Sequence, residues 1–245
     1  MTSVIQAVRD IRQAQEATEK PLAVIVAGHN GSGKSTFWRG TLADEFHIPL
    51  INADRMMLSI LPEPNMDGAL PEWASRFRDT NERWMRVAQQ GVQTFVNHAM
   101  NANVSFAMET VFSHWHQRPD GMVESKLDLI HDLQSSGYFV MLVFVGLTNA
   151  DMSISRVATR VAQHGHNVPE QRLRERFPRT QKAIAEAIKI ADASLLADNS
   201  RDATRAFTLC RTVVSGTETY DIRDDQMNPP PNAILRWLNI VSPRS

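Results

Sequence analysis

The stretch Gly28-His29-Asn30-Gly31-Ser32-Gly33-Lys34-Ser35 constrains this chain more than any other. It fills the pattern G-x-x-x-x-G-K-[ST] directly after the apolar run Leu22–Ala27. A Val- and Ile-rich run without polar alternation predicts a parallel strand covered on both faces. Glycine lets the following loop wrap its backbone N–H groups around phosphate oxygens, where a Cβ would block approach. Lys34 places a positive charge on the β- and γ-phosphates, and the Ser35 hydroxyl suits Mg²⁺. A helix predicted from about Lys34 to Glu45 points its N-terminus at the anion. Strand, loop and helix in this order commit the chain to a nucleotide-binding α/β fold. ATP and Mg²⁺ are the expected ligands, held by Gly28, His29, Asn30, Gly31, Ser32, Gly33, Lys34, Ser35 and Thr36.

The rest of the 245 residues reads as one P-loop domain, residues 1–245, of strands alternating with helices: a parallel sheet between helical layers. Residues 1–20 supply an N-terminal helix, with Val4, Ile5, Val8 and Ile11 at helical spacing. Pro49–Asp54 reads as a short second strand ending on a carboxylate, and Leu61–Pro71 as turns. A long helix is expected from Trp73 to Asn101, a third strand over Val104–Glu109, a helix over Met122–Ser136 and a fourth strand over Tyr138–Leu147. Residues 151–192 are helical apart from the turn His164–Pro169. Further strands are expected at Leu195–Asp198 and Arg205–Val214. Residues 228–245 form a tail whose helix spans Ile234–Ile240.

Which P-loop chemistry this is follows from what surrounds the loop. No Asn-Lys-x-Asp base-reading motif occurs, which argues against a GTPase. The strand at Phe139–Leu147 runs into Thr148-Asn149 rather than the acidic pair of mechanical ATPases. Small-molecule kinases of the nucleoside-monophosphate type instead place an Asp past the second strand and carry arginines on a mobile lid. Asp54, about twenty residues after Lys34, occupies that place. It reads as the group that accepts or orients the proton of an attacking hydroxyl, or as the cap of the next helix. Between Asp151 and Lys182, seven basic side chains (Arg156, Arg160, Arg172, Arg174, Arg176, Arg179 and Lys182) face three acidic ones, a balance of +4. Planar guanidinium groups suit bidentate phosphate contact. Glu109, at the end of the third strand, reads as a ligand to an acceptor hydroxyl or to the Mg²⁺ shell, or as a buried structural carboxylate.

Other features exclude more than they assign. The formal net charge is −1, so there is no global basic field, and Trp38, Trp73, Trp84, Trp115 and Trp237 form no stacking ladder; a nucleic-acid partner is not expected. Cys210 is the single cysteine, which rules out an internal disulfide framework, and it reads as a core residue. The pairs His114/His116 and His164/His166 lack a third zinc ligand in sequence; His114 reads instead as a substrate-loop contact. No membrane span and no secretion signal are legible, so a cytoplasmic protein without a membrane partner is expected. A regulatory ATP-binding protein without transferase activity is the alternative class.

Taken in order, these residues resemble the zeta-toxin-type P-loop kinases. The resemblance runs across about residues 22–200: the loop through Thr36, Ile51-Asn52-Ala53-Asp54, Met108–His114, Arg156–Val161, His164–Glu170, Arg176–Thr180 and Asp198-Asn199-Ser200. It implies transfer of the ATP γ-phosphate to the amino-sugar 3′-hydroxyl of UDP-N-acetylglucosamine, and a cognate antitoxin protein that blocks the ATP site. By position it implies Lys34, Asp54, Arg160 and Arg176 as catalytic, Arg156 and Arg179 as ATP contacts, and Asp54, Glu109, Thr110 and His114 as the acceptor site. The chain departs from that pattern after Glu109, where Thr110-Val111 replaces a Gly and a substrate-binding Thr. Related branches modify other acceptors, including the ribose of NAD. With about twenty residues before the loop strand, a fused antitoxin domain is not expected.

Overall fold

The computed structural model describes residues 3–117 and 123–244. Helix α1 (Val4–Glu16), whose first turn is capped by Ser3, leads into β1 (Leu22–Gly28), every residue of which is buried. Side chains alternate across a strand, so β1 feeds two cores at once. Ala23, Ile25 and Ala27 join one layer, and Leu22, Val24 and Val26 the other. After the phosphate loop the expected helix forms as α2 (Lys34–Phe37), a π-helical turn Trp38–Leu42, and α3 (Ala43–Phe46).

The second strand is shorter than the sequence suggested. β2 covers only Leu50–Ile51, because the Asn52 side chain accepts from the Arg55 N–H and turns the chain into α4 (Ala53–Ser59). Asp54 therefore lies in the first turn of a helix rather than at a strand end. The predicted long helix is two helices, α5 (Glu72–Thr80) and α6 (Glu82–Ala102). Asn81 leaves helical geometry at ψ 87° and caps α6 by accepting from the Trp84 N–H.

β3 covers Phe106–Thr110, starting two residues later than expected. A small hairpin of β4 (Trp115–Gln117) and β5 (Val123–Ser125) replaces the start of the helix expected from Met122, a residue outside those described. That helix is α7 (Leu127–Ser135). It is delayed by a reciprocal pair in which Ser125 Oγ accepts from the Leu127 N–H and Asp128 from the Ser125 N–H.

The long strand β6 (Phe139–Gly146) is buried throughout and is followed by α8 (Ala150–Ala162) and α9 (Glu170–Ile190). β7 (Ala193–Asp198), β8 (Thr208–Val214) and β9 (Thr217–Asp221) complete the main sheet, and α10 (Asn232–Val241) closes the described chain. The strand order is β2-β3-β1-β6-β7-β8-β9. The first five are parallel; β8 and β9 are antiparallel additions, where the alternating pattern had suggested only parallel strands. One face of the sheet packs on α6, α7, α9 and α10, the other on α1, α2 and α3. Among the described residues, no helix is long and apolar enough to cross a membrane.

Candidate active site

The parallel strands deliver their carboxyl ends to one edge, and the side chains singled out in the sequence converge there. Gly28 ends β1 where a Cβ would lie 2.4 Å from the Val145 carbonyl oxygen, so only glycine passes. The loop that follows uses the left-handed region at Gly31 (φ +70°) and Gly33 (φ +90°). At Gly33 a Cβ would also meet Asn199 Nδ2 at 2.8 Å. Asn199 Nδ2 donates to the Ser32 carbonyl at 2.9 Å, while its own backbone N–H is held by the Gly146 carbonyl. The loop is thus braced by a side-chain amide from beyond β7.

Lys34 is buried and donates to the Gly28 and His29 carbonyls at 3.2 and 3.0 Å. Its Nζ lies 3.9 Å from Glu109 Oε1. Burial lowers its affinity for its proton, and the charge of Arg160 lowers it further, against the Glu109 and Asp54 charges. These couplings place Asp54 and Arg160 within electrostatic reach of Lys34. Asp54 itself is exposed. Since Asn52 caps α4, the capping reading of Asp54 does not apply.

Glu109 links three elements. Its Oε2 accepts from Ser35 Oγ at 2.7 Å and from Asn52 Nδ2 at 2.8 Å, while Oε1 faces Lys34. The hydroxyl suited to Mg²⁺ therefore sits against a partly buried carboxylate, a hard-oxygen pair that fits that ion. Asn52 is the residue that sequence reasoning missed: one side chain caps α4 and orients Glu109. Its signal was an Asn directly before a helix start. Thr110, next in β3, uses its Oγ1 to accept from the Phe112 N–H at 3.3 Å. His114 is exposed and pairs with Glu124 at 3.2 Å.

Helices α8 and α9 pack against the loop. Ser153 on α8 donates to the Asn30 carbonyl at 2.7 Å, and a Cβ on Gly31 would meet Arg156 Cβ at 3.0 Å. Arg156 and Arg160 share the α8 face toward the loop side, and Arg160 Nη2 donates to the His166 carbonyl at 2.7 Å. Arg176 on α9 is half-buried; burial first, then Arg172 and Arg179, hold its guanidinium below its ordinary value. Arg179 is exposed and paired with Glu175. Thr36 is likewise exposed, one residue past the Ser35 hydroxyl.

The His29 ring points inward. It stacks on Phe177 at 3.9 Å between centroids, and Nδ1 accepts from the Leu147 N–H at 3.3 Å. Burial, followed by the Lys34 charge, pushes its pKa down to about 3, so the ring is neutral at physiological pH. Its side chain packs between the loop and α9. Cys210 is buried in the sheet, its thiol pushed up by burial. His166 pairs with Asp79 at 2.9 Å. Among the described residues no group of three or more metal-ligating side chains assembles.

Comparison with known proteins bears on the family and the fold. The family model described as Zeta toxin matches residues 5–204. A Haemophilus influenzae protein is 23% identical over 155 residues, covering 63% of this chain and 91% of that protein. Among solved structures, the AvrRxo1-ORF1:-ORF2 complex with ATP superposes with a TM-score of 0.59 at 13% identity, covering 98% of this chain and 70% of that one. The PezAT toxin–antitoxin system of Streptococcus pneumoniae superposes with a TM-score of 0.52 at 14% identity, covering 98% and 86%.

Proposed function

This chain belongs to the zeta toxin family and is a kinase, and we propose that it transfers the γ-phosphate of ATP to a sugar hydroxyl of a nucleotide sugar such as UDP-N-acetylglucosamine. The single observation that carries this reading is Glu109. It gathers Ser35, Asn52 and Lys34 at the sheet edge, beside a helix turn whose Asp54 charge reaches the same lysine. A protein that only sensed ATP would need the loop and lid but no carboxylates on the acceptor side.

In this mechanism the loop from Gly28 to Thr36 holds the phosphates through its backbone N–H groups, and Lys34 neutralises their charge. Ser35 would hold Mg²⁺, with Glu109 fixing that hydroxyl, and the bound ion would supply further neutralisation of phosphate charge. Asp54 takes the proton from the acceptor hydroxyl as the oxygen bonds to the γ-phosphorus and the bond to ADP breaks. Arg160 and Arg176 stabilise the charge on the transferring group. Arg156 and Arg179 hold the nucleotide, the latter by exchanging Glu175 for phosphate. Glu109, Thr110 and His114 face the acceptor.

A second reading, a kinase of NAD or of a nucleoside, is favoured by one observation. Thr110-Val111 stands where the sugar kinases carry Gly-Thr, and the Thr110 hydroxyl is already engaged by the Phe112 N–H. Incubation with Mg-ATP and a panel of UDP-sugars, NAD and nucleosides, read by mass spectrometry, separates the two. One acceptor gains a phosphate and Asp54→Ala abolishes the gain while ATP still binds. ATP binding without any phosphorylated product refutes the transfer reading; unchanged turnover in Asp54→Ala removes Asp54 as the base. The similarity to the PezAT toxin–antitoxin system supports a toxin role with an antitoxin partner for this chain.

A further inference from the structure

The lid arginines have a neighbour that no sequence motif announced. The turn joining α8 to α9 presents three consecutive carbonyls, those of His164, Gly165 and His166, to two guanidinium groups. Arg78 of α5, 8% exposed, donates through Nη1 to His164 O at 3.0 Å and through Nη2 to Gly165 O at 3.3 Å. Arg160 of α8 donates to His166 O. The remaining face of Arg78 is filled by Asp79, at 2.8 and 3.1 Å, and by Ser75 Oγ at 3.4 Å. Asp79 in turn holds the His166 ring at 2.9 Å.

The turn also grips Arg160 sterically. Its geometry is fixed by His164 in the left-handed region (φ +62°) and by the Gly165 N–H bonding back to the Arg160 carbonyl at 2.8 Å. A Cβ on Gly165 would meet Arg160 Cγ at 2.4 Å. The Arg160 stem therefore lies in a slot with Gly165 as its wall, its Nε buried without a partner and its charge reaching Lys34. A buried guanidinium with bidentate contacts from another element is a rigid anchor rather than a flexible surface group.

We infer that Arg78 is a positioning residue: by fixing the turn 164–166 it sets the Arg160 side chain in place for the γ-phosphate. The contact ties α5 to the turn between α8 and α9 as one mechanical unit. This rests on the reading of Arg160 as a γ-phosphate contact, and the test separates the two.

The test measures binding of fluorescent ATP and ADP analogues, with Mg²⁺, to the full chain and to folded variants checked by circular dichroism. Arg160→Ala should lower the preference for ATP over ADP about tenfold, as expected for loss of one charge-assisted contact. Arg78→Met should lower the same preference several-fold while ADP affinity stays within twofold, and the double variant should lose no more than Arg160→Ala alone. Gly165→Ala, which displaces the Arg160 stem and leaves the Arg78 side chain unchanged, should reproduce the effect. Arg78→Lys, which keeps the charge and loses the fork on the His164 and Gly165 carbonyls, should lower the preference likewise and decides the matter if Arg78→Met does not fold. A wild-type preference in folded Arg78→Met, or losses that add in the double variant, overturns the positioning role. An unchanged preference in Arg160→Ala refutes the reading of Arg160 itself and takes the inference with it.

Discussion

Glu109→Gln should destabilise the nucleotide-free protein and make ATP stabilise it more. The substitution keeps the shape of the side chain, and a Gln carbonyl can still accept from Ser35 Oγ and Asn52 Nδ2. What it removes is the negative charge 3.9 Å from Lys34 Nζ, in a pair whose side chains are 8% and 12% exposed. At an effective dielectric constant of about 20, two unit charges at that distance attract by about 4 kcal/mol. Lys34 keeps its bonds to the Gly28 and His29 carbonyls and can relax, so the expected loss is smaller, about 2–3 kcal/mol.

Urea unfolding at pH 7, followed by tryptophan fluorescence, measures this as a lower midpoint at unchanged slope. Nucleotide phosphate supplies Lys34 with a replacement counter-charge. Saturating ATP should therefore raise the midpoint of Glu109→Gln by more than that of the wild type. A nucleotide-free stability within about 0.5 kcal/mol of wild type would refute the claim that Glu109 and Lys34 act as a largely desolvated ion pair. Equal stabilisation of both proteins by ATP would refute the exchange of Glu109 for phosphate.

Two further outcomes follow from the same site. Because the folded protein holds His29 at a pKa of about 3, the unfolded chain binds a proton that the folded one does not as pH falls below about 6.5. The stability this imidazole contributes is complete above that pH and is lost at up to about 1.4 kcal/mol per pH unit below it. His29→Asn, which keeps an acceptor for the Leu147 N–H, should narrow the stability gap to wild type by about 1–2 kcal/mol between pH 6.5 and 5; a gap independent of pH refutes the buried neutral ring. Asn199→Ala should leave the Ser32 carbonyl without its donor and cost about 1 kcal/mol of ATP binding free energy by calorimetry, whereas an unchanged affinity would show that the loop needs no brace.

The parts of this site that were legible in sequence are those encoded locally. The apolar run of β1 and the glycines of the loop each carry their own physical signal, and so do the basic helices after Asp151. The parts that were not legible depend on a distant partner or on one residue deciding an ambiguous boundary. The helix expected across Trp73–Asn101 keeps its apolar spacing through Asn81, so only the cap geometry of that residue shows the break. β9 reads Thr-Glu-Thr-Tyr-Asp, a mostly polar edge strand whose apolar pattern is too weak to register. Its signal was the Ser215-Gly216 turn, where both residues take positive φ. The Ser125-x-x-Asp128 pair before α7 was readable as a cap and was masked by the continuous helical pattern around it.

The motif and its surroundings divide the work of the site in a way that the motif alone does not reveal. Three points of the phosphate loop are held by side chains from elsewhere: the Asn30 carbonyl by Ser153, the Ser32 carbonyl by Asn199 and the Ser35 hydroxyl by Glu109, which Asn52 holds in turn. Those four residues come from α8, the end of β7, β3 and the start of α4, so the loop is tied to elements on several sides of it. A loop that only had to bind phosphate could be shaped by its own glycines. One that must release ADP and admit an acceptor needs its geometry tied to the elements that open and close. The brace from Ser153 is the connection most exposed to such motion, because α8 also carries Arg156 and Arg160: any movement of the lid that withdraws the arginines also withdraws the donor that holds Asn30.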